Sequence, residues 1–266
     1  MNPQVSGTVV IDCFPENVAR YKDKGYAVVA IDVIRATTTA VTAAAMGRKC
    51  YPVDTVENAV ALAATLNNPL MVGEIGGDMP AGFEIPNSPA LVAEHNDLHR
   101  PMVLLSTSGT KIIAAAKGSV ACYVSCLRNF SAQIEHLIRH HSKVAVIGAG
   151  TRSEFREEDQ ICCAWIAGGL LDSGFIPVND GTRAIVERWR NAPVDALLVS
   201  NSVAYLRRSG QLRDLDFVLA HIDDLPCVFE LQGDEVVMLS DETDVVKVSQ
   251  SYLETKTPEP QLNANI

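Results

Sequence analysis

Short apolar runs alternate with longer segments of helical periodicity along most of this chain. The apolar runs lack the in-and-out alternation of a strand with one wet face, which predicts strands covered on both sides. Predicted strands lie at residues 26–31, 70–72, 102–105, 121–125 and 143–147, and predicted helices at 37–46, 56–66, 110–116, 131–140 and 157–171. The segments 182–189, 196–199 and 202–208 continue the pattern. Alternating strands and helices predict an α/β protein with a mainly parallel sheet covered by helices.

The pattern changes in the last part of the chain. Two apolar runs, 229–231 and 236–238, flank Gln232-Gly233-Asp234-Glu235, which predicts a hairpin at an edge of the sheet. A boundary between two units is expected near residue 126, although no linker rich in Pro or Gly marks it. Residues 251–266 hold two prolines, polar side chains and no apolar periodicity, so they are expected to form a disordered tail.

Composition and charge narrow the class of function. The 266 residues carry a net charge of −10, whereas nucleic-acid surfaces need clustered Lys and Arg, so a nucleic-acid partner is not expected. The seven cysteines include no CxxC pair and are expected to be reduced thiols. No segment resembles a signal peptide or approaches the roughly 20 apolar residues that span a bilayer, which predicts a cytoplasmic protein without a membrane partner. A homodimer is left open.

The first predicted strand ends in a polar segment that can carry chemistry. This segment is Asp32-Val33-Ile34-Arg35-Ala36-Thr37-Thr38-Thr39, and ligands of parallel sheets bind beyond the carboxyl ends of strands. Asp32 can hold Mg²⁺ or attack phosphorus, and Arg35 can bind a phosphate through two parallel hydrogen bonds. The start of a helix adds free N–H groups for an anion. The alternative is structural: Thr37 caps the helix and Asp32 pairs with Arg35.

Two further strand ends offer groups that bind anions or metals. Ser106-Thr107-Ser108-Gly109-Thr110-Lys111 is a short polar turn that either holds an anion through backbone N–H groups or only caps a helix. Residues 72–89 form a long segment rich in Gly and Pro, in which Glu74 and Asn87 supply oxygen atoms suited to Mg²⁺. A surface loop without a functional role is the alternative for this segment.

The strand at 143–147 leads into Gly148-Ala149-Gly150-Thr151-Arg152-Ser153. This segment begins like a dinucleotide-binding fingerprint, but Ser153 replaces the third glycine. Four carboxylates follow within six residues, more than capping of a helix needs and suited to a divalent metal: Glu154, Glu157, Glu158 and Asp159. Cys162 and Cys163 have neither an activating histidine nor a C-x5-R loop, so both are expected in the core.

These motifs, in this order, resemble those of the 2-phosphosulfolactate phosphatase family. The matching stretches span roughly residues 30–165 and are Asp32-Val33-Ile34-Arg35-Ala36-Thr37-Thr38, Gly82-Phe83-Glu84, Asn87-Ser88-Pro89, Thr107-Ser108-Gly109-Thr110, Leu127-Arg128-Asn129, Gly150-Thr151, Phe155, Glu158-Asp159 and Cys162. Three positions depart from the pattern: Ser108 replaces an expected Asn, Glu84 an expected Asp, and Ile75 beside Glu74 an expected arginine. The missing arginine removes a cation expected for binding of a sulfonate.

The resemblance implies a Mg²⁺-dependent hydrolase that converts 2-phosphosulfolactate to sulfolactate and phosphate in coenzyme M synthesis, with an α/β fold of two similar halves. We place those halves at residues 1–126 and 127–250. Catalytic roles are expected for Asp32, Arg35, Glu158 and Asp159, binding of substrate or phosphate for Thr37, Thr38, Asn87, Ser88, Ser108, Gly109, Thr110, Asn129 and Arg152, and metal binding for Asp32, Glu74 and Asp159. The cations expected to face the substrate are Arg35, Lys111, Arg128 and Arg152. The alternatives are a phosphatase for another small phosphorylated hydroxy acid and a non-catalytic protein that binds an anion or a nucleotide.

Overall fold

A computed structural model describes residues 7–150 and 154–239 of the chain. The strands are β1 Thr8–Cys13, β2 Ala27–Ile31, β3 Cys50–Val53, β4 Leu70–Gly73, β5 Met102–Leu105, β6 Ala121–Ser125, β7 Lys143–Gly148, β8 Ile176–Pro177, β9 Val228–Gln232 and β10 Glu235–Leu239. The helices are α1 Ala19–Lys22, α2 Ala36–Ala45, α3 Val56–Ala63, α4 Pro89–Glu94, α5 Gly109–Ala116, α6 Phe130–His140, α7 Glu157–Asp172, α8 Asp180–Trp189, α9 Asn201–Arg208 and α10 Leu212–Ala220. Short 3-10 helices lie at Pro15–Val18 and Val194–Val199. The segment expected to form a tail, 251–266, lies outside the described residues.

The ten strands form one sheet in the order β4-β5-β3-β10-β9-β6-β2-β7-β1-β8. Pairing is parallel throughout two blocks, which are β4-β5-β3 and β6-β2-β7-β1-β8. The β9–β10 hairpin joins the blocks and is antiparallel to β3 on one side and to β6 on the other. The α/β class and the mainly parallel sheet are thus confirmed.

The expected place of the hairpin at an edge of the sheet is wrong. Phe229 and Val236 are almost fully buried in the same core as the β2 and β5 side chains, so both hairpin strands are covered. Each hairpin strand pairs with the strand on its other side through a single residue pair. Glu230 of β9 pairs with Tyr123 of β6, and Val236 of β10 pairs with Cys50 of β3. A break in the local βα rhythm therefore indicates a change of strand direction here, and it does not indicate an edge.

Strands from the two expected halves alternate across this sheet. Residues 1–126 supply β1 to β6, and the residues beyond 126 supply β7 to β10. Strand β7 lies between β1 and β2, and the hairpin lies between β3 and β6. Strands of both segments thus belong to one sheet. The division into two similar halves, 1–126 and 127–250, stays a prediction.

The sheet is folded over so that strand ends of both blocks meet. The hairpin reverses strand direction three times between β3 and β6, so the two parallel blocks run in opposite directions. In a flat sheet β5 and β2 would lie five strand spacings apart, roughly 24 Å. Gly109 after β5 nevertheless packs directly against Asp32 after β2. Helix α2 fills the resulting fold and contacts β3, β5, β6 and β10.

Small side chains allow α2 to occupy this enclosed position. Its sequence Ala-Thr-Thr-Thr-Ala-Val-Thr-Ala-Ala-Ala has no long side chain, and residues 36–44 are all buried. The helix ends before Gly47, whose φ of +84° suits the left-handed turn that terminates a helix. Strand β2 is buried at every position, as expected for a central parallel strand.

Helix α7 carries Cys162 and Cys163, and both cysteines are fully buried in the core on the other face of the sheet. Burial raises the pKa of both thiols, as expected for core residues without a nucleophilic role. Among the described helices, none is long and apolar enough to cross a bilayer. The segment 196–199 belongs to a 3-10 helix. The structure adds six strands and helices that the apolar pattern did not predict, together with the 3-10 helix at Pro15–Val18: β1, β3, β8, α1, α4 and α10.

Candidate active site

A cleft of about 830 Å³ opens where five strand ends meet helix α9. Its lining residues follow β1, β2, β4, β5 and β7, and α9 supplies the remaining wall. The charged residues of the lining are Glu16, Asp32, Arg35, Glu74, Lys111, Glu154, Arg156, Asp159 and Arg208. Acidic and basic groups therefore line one cavity, which suits the binding of a cation together with an anion.

The turn after β2 is braced by Thr37, and this brace directs Asp32 into the cleft. The Thr37 hydroxyl accepts a hydrogen bond from the Asp32 amide at 2.9 Å and donates one to the Asp32 carbonyl at 2.9 Å. Thr38 donates to the Val33 carbonyl at 2.7 Å. Both hydroxyls face the backbone of the turn, so these expected phosphate ligands lie behind the cleft wall and Asp32 lies on it.

Buried carboxylates surround Asp32. Burial raises the pKa of Asp32 to about 7, and the negative charges of Glu74 and Glu158 contribute to the increase. Burial also raises the pKa of Asp159, with contributions from Glu158 and Asp32. The Val33 amide donates to Asp159 at 2.8 Å, which ties the start of α7 to the β2 turn. Two strand ends therefore bring their acids to one place.

Glu158 lies deeper than its neighbour and does not line the cleft. Burial raises the pKa of its carboxyl group, and Ser200 and Ser202 at the start of α9 lie close enough to oppose the increase. Its Oε2 atom is buried without a hydrogen-bond partner among the described residues. Such an orphaned acceptor is uncommon and is compatible with a protonated carboxyl group or with a missing ligand.

The carboxylates on the cleft suit a Mg²⁺ ion that keeps most of its water ligands. Within residues 7–150 and 154–239 no three His, Cys, Asp or Glu side chains are arranged to enclose a metal ion. Mg²⁺ usually takes one or two carboxylates and completes its shell with water and substrate phosphate. Asp32 and Asp159 meet this need, because both line the cleft and their charges interact. Glu74, expected as a third ligand, has its carboxylate engaged by Thr107 and Gly77.

Arg35 lines the cleft and pairs with Asp214 of α10. The structural alternative, an ion pair between Arg35 and Asp32, is wrong. Arg35 Nη1 donates to Asp214 Oδ2 at 2.6 Å and also to Gln211. Within the described residues its hydrogen bonds all come from Nη1, so the guanidinium keeps further donors for a ligand. The Ile34–Arg35 peptide bond is cis.

The turn after β5 brings Ser108 to the cleft and packs Gly109, which does not line the cleft, against Asp32. Ser108 lines the cleft at the start of α5 and its hydroxyl does not cap that helix. A Cβ atom on Gly109 would lie 2.3 Å from Asp32 Oδ2, so only glycine allows this close approach. Thr110 instead braces the turn, accepting from the Ser106 amide at 2.9 Å. The start of α5 therefore lies directly beside the Asp32 carboxylate.

Asn87 and Ser88 join the long β4 loop to the same region. Asn87 lines the cleft, and its Oδ1 accepts a hydrogen bond from Thr39 at 2.8 Å. Ser88 caps α4 and donates to Asp214 Oδ1 at 2.5 Å, so it supports the partner of Arg35 and does not line the cleft.

Three more of the expected residues lie away from the cleft or outside the described residues. Asn129 is fully buried and holds its own turn, accepting from Ser125 and the Cys126 amide at 3.1 Å. Arg128 is also engaged, with Asp224 and Thr42. Arg152 is not among the described residues.

Several cleft residues were not predicted from the sequence. Arg156, Tyr205 and Arg208 also line the cleft, and Asp214 holds Arg35 through an ion pair. Tyr205 and Arg208 belong to a helix predicted from its periodicity but without a chemical motif. Arg156 lies two residues before Glu158, which was a predicted site residue. Of these unpredicted residues, only Arg156 had a motif next to it in the sequence.

Comparisons with known proteins show the family to which this chain belongs. The model of the family described as 2-phosphosulpholactate phosphatase matches residues 13–234. A probable 2-phosphosulfolactate phosphatase of Carboxydothermus hydrogenoformans is 33% identical over 207 residues, which is 77% of this chain and 85% of the relative. A probable 2-phosphosulfolactate phosphatase of Deinococcus radiodurans is 35% identical, over 70% of this chain and 80% of the relative. One from Synechococcus sp. strain RCC307 is 28% identical, over 84% and 92%. The chain therefore belongs to the 2-phosphosulpholactate phosphatase family and is a phosphatase, a hydrolase of phosphoric monoesters.

Proposed function

We propose that this protein hydrolyses 2-phosphosulfolactate to sulfolactate and phosphate in a reaction that needs Mg²⁺. The relatives carry the name of this activity, and coenzyme M synthesis is the pathway we propose for it. The observation that carries the proposal is the meeting of Asp32, Asp159 and Arg35 on one cleft. A buried acid pair beside a guanidinium with free donors is an arrangement suited to a metal-assisted transfer of a phosphoryl group.

Arg35 and the start of α5 are placed to bind the phosphoryl group. The remaining donors of Arg35 can bridge two phosphoryl oxygens, and Ser108 at the start of α5 adds a hydroxyl group to the lining of the same cleft. Charge on those oxygens is reorganised in the transition state, so donors fixed in place stabilise it more than the ground state. Asp214 fixes Arg35 by its ion pair, which leaves little reorganisation for the moment of reaction.

Asp32 and Asp159 are the residues that would hold Mg²⁺. When bound there, the ion would offset the negative charge of the phosphoryl oxygens. Asp32 also lies where it can either attack phosphorus or take a proton from an attacking water molecule, and a pKa of about 7 suits proton transfer near neutral pH. Acid quenching of the enzyme with ³²P-labelled substrate distinguishes the two routes, because only the first leaves label on the protein.

One assay tests the proposal. Phosphate release is measured with 2-phosphosulfolactate and with a panel of phosphorylated hydroxy acids that lack the sulfonate, each with Mg²⁺ and with EDTA. We expect the highest kcat/KM for the sulfonate, no turnover in EDTA and recovery on addition of Mg²⁺. Preference for another phosphorylated hydroxy acid overturns the proposed substrate. Full turnover in chelator overturns the proposed metal dependence, and no turnover of any ester overturns the proposed activity.

The proposed cellular location is the cytoplasm. The seven cysteines, all within the described residues, form no disulfides and five of them are buried, which fits a reducing compartment. Locating a tagged protein in fractionated cells of the source organism tests this part of the proposal, and recovery outside the cytoplasmic fraction contradicts it.

A further inference from the structure

A chain of hydrogen bonds runs from helix α9 to the turn after β5 and passes through Glu74. The Tyr205 hydroxyl donates to the Gly77 carbonyl at 2.8 Å. The Gly77 amide in turn donates to Glu74 Oε2 at 2.7 Å. Tyr205, Gly77 and Glu74 all line the cleft. The last part of the described chain is thereby joined to the loop that follows β4.

Gly77 makes the contact with Tyr205 close. Its φ of +99° lies in the region that favours glycine, and a Cβ atom there would lie 2.5 Å from the Tyr205 hydroxyl oxygen. The ring of Tyr205 therefore packs onto the backbone of the turn as well as bonding to it. A side chain at this position would push α9 away from the loop.

Glu74 passes the connection to Thr107. Its Oε1 accepts from the Thr107 amide at 2.7 Å, and its Oε2 accepts from the Thr107 hydroxyl at 2.8 Å. The Gly76 amide donates to the same hydroxyl at 2.7 Å. With the Gly77 amide included, three donors bind the Glu74 carboxylate and fix its orientation. Thr107 itself precedes Ser108, where helix α5 begins beside Asp32.

We infer that Glu74 is a positioning residue that holds the Thr107–Ser108 backbone against the phosphoryl group, and that Tyr205 latches the turn carrying Glu74. The inference rests on the proposed function, since it assigns the phosphoryl group to the start of α5. It differs from the expectation that Glu74 is a metal ligand, because donors from Thr107 and Gly77 already bind both carboxylate oxygens.

Tyr205→Phe removes one hydroxyl and leaves the ring in place, so it tests the latch directly. Its matched control is Tyr51→Phe, which removes the hydroxyl that donates to Glu235 at 3.0 Å, away from the cleft. Binding of inorganic phosphate is measured by calorimetry, and kcat, KM and the Mg²⁺ concentration for half-maximal rate by phosphate release. We expect Tyr205→Phe to weaken phosphate binding and raise KM by about threefold to tenfold, with the Mg²⁺ requirement unchanged. Tyr51→Phe is expected to leave all four values unchanged.

Glu74→Gln separates the positioning role from a metal role. In either orientation glutamine puts its amide NH2 group opposite a backbone N–H, that of Thr107 or that of Gly77, so we expect weaker phosphate binding again and an unchanged Mg²⁺ requirement. A rise in the Mg²⁺ requirement with phosphate affinity unchanged would show that Glu74 is a metal ligand and overturn the inference.

Amide hydrogen exchange gives a readout that does not depend on turnover. In Tyr205→Phe, peptides that contain Gly76, Gly77 and Thr107 should exchange at least about threefold faster than in Tyr51→Phe, with the rest of the chain unaffected. Equal exchange in the two variants overturns the latch, whether or not the wild type is active. A wild type that releases no phosphate, yet shows faster local exchange in Tyr205→Phe, rejects the proposed function and leaves the latch supported.

Discussion

The turns after β2 and β6 look alike in sequence and differ in what they leave free. Asp32 directly follows β2 and Ser125 is the last residue of β6, and each stands three positions before an arginine, Arg35 or Arg128. The strands are neighbours in the sheet and run parallel. Each arginine also pairs with an aspartate from the last part of the described chain.

The difference lies in how many donors each arginine has used. Arg128 donates from Nε and Nη2 to Asp224, at 2.9 and 2.7 Å, and from Nη1 to Thr42 at 2.9 Å. Toward the described residues, Arg35 donates from Nη1 alone. The first arrangement joins two segments of the protein, whereas the second keeps a cation oriented and available. An arginine at a strand end is therefore informative about binding only when its fork of donors is incomplete.

The largest effect is expected at the position where the two turns differ in charge. Asp32→Asn should lower kcat by about a thousandfold, because the acid that handles protons or holds the metal is lost. The same variant should melt higher than wild type in EDTA at pH 8, because asparagine avoids the burial of a charge. Phosphate release and thermal melting check both effects.

Ser125→Ala is the matched change in the other turn. It removes a hydroxyl that donates to Asn129 at 3.1 Å, so we expect a stability loss of roughly 1 kcal/mol and near-normal turnover. An Asp32→Asn enzyme with normal turnover, or a Ser125→Ala enzyme without any, would contradict the assignment of the site to the β2 turn.

Arginine-to-lysine changes in the two turns should have opposite consequences. Arg35→Lys should fold and lose about a hundredfold in kcat/KM, since an ammonium keeps the charge near Asp214 but cannot also bridge two phosphoryl oxygens. Arg128→Lys should lose roughly 1–3 kcal/mol of stability and keep its kinetics within about threefold, because it loses paired bonds to Asp224. Melting and kinetics on both variants decide the matter. Equal kinetic losses in the two would mean that the count of free donors does not identify the site.

These contrasts also show what the sequence could and could not predict. The strands at 102–105 and 121–125 match the structure residue for residue, because each is a short apolar run closed by a polar turn, a local signal. Asp32, Asp159 and Ser108 were predicted for the site because strand ends can be read locally as well. The partner of Arg35 could not be read in this way, since Asp214 lies 179 residues away on a helix that the pattern did not predict.

The folding-over of the sheet could not be predicted from local sequence patterns, for the same reason. Strand ends of blocks that run in opposite directions meet only because the hairpin turns the sheet over, and no short pattern encodes that. Hydroxyl groups were misjudged for a related reason. Thr37 and Thr38 stand at the expected position, but the direction of each side chain depends on which backbone carbonyl lies nearest.

The acid at the β2 turn should make activity and stability depend on pH in opposite directions. Asp32 has a pKa of about 7 in the folded protein, above the usual value near 4. The folded state therefore holds a proton that the unfolded state has released, so stability without metal falls as pH rises from about 4 to 7. If the ionised form is active, kcat/KM at low Mg²⁺ should fall about tenfold per pH unit below 7.

Melting in EDTA from pH 5 to 8 and a kcat/KM profile measure the two trends. Asp32→Asn provides the control, because its melting temperature should depend less on pH than that of wild type. Saturating Mg²⁺ should move the acidic limb of the profile to lower pH, since a cation favours the ionised carboxylate. A melting temperature that rises from pH 5 to 8 without metal contradicts the pKa assigned to Asp32.

The smallest effect is expected at Thr38, which connects the two turns. Its hydroxyl donates to the Val33 carbonyl at 2.7 Å, and it lies next to the Cys126 thiol of the β6 turn. The residue is almost fully buried and does not line the cleft, so it has no route to a phosphate although its position in the motif suggests one. Thr38→Val keeps the shape and removes the hydroxyl, which should lower stability by roughly 1 kcal/mol and leave KM and kcat within about threefold. Melting, kinetics and phosphate binding on this variant test the comparison where the two turns touch. A normal melting temperature together with a loss of phosphate affinity of about tenfold or more would mean that the Thr38 hydroxyl turns towards the ligand, and would make the β2 turn a phosphate loop as well as the carrier of Asp32 and Arg35.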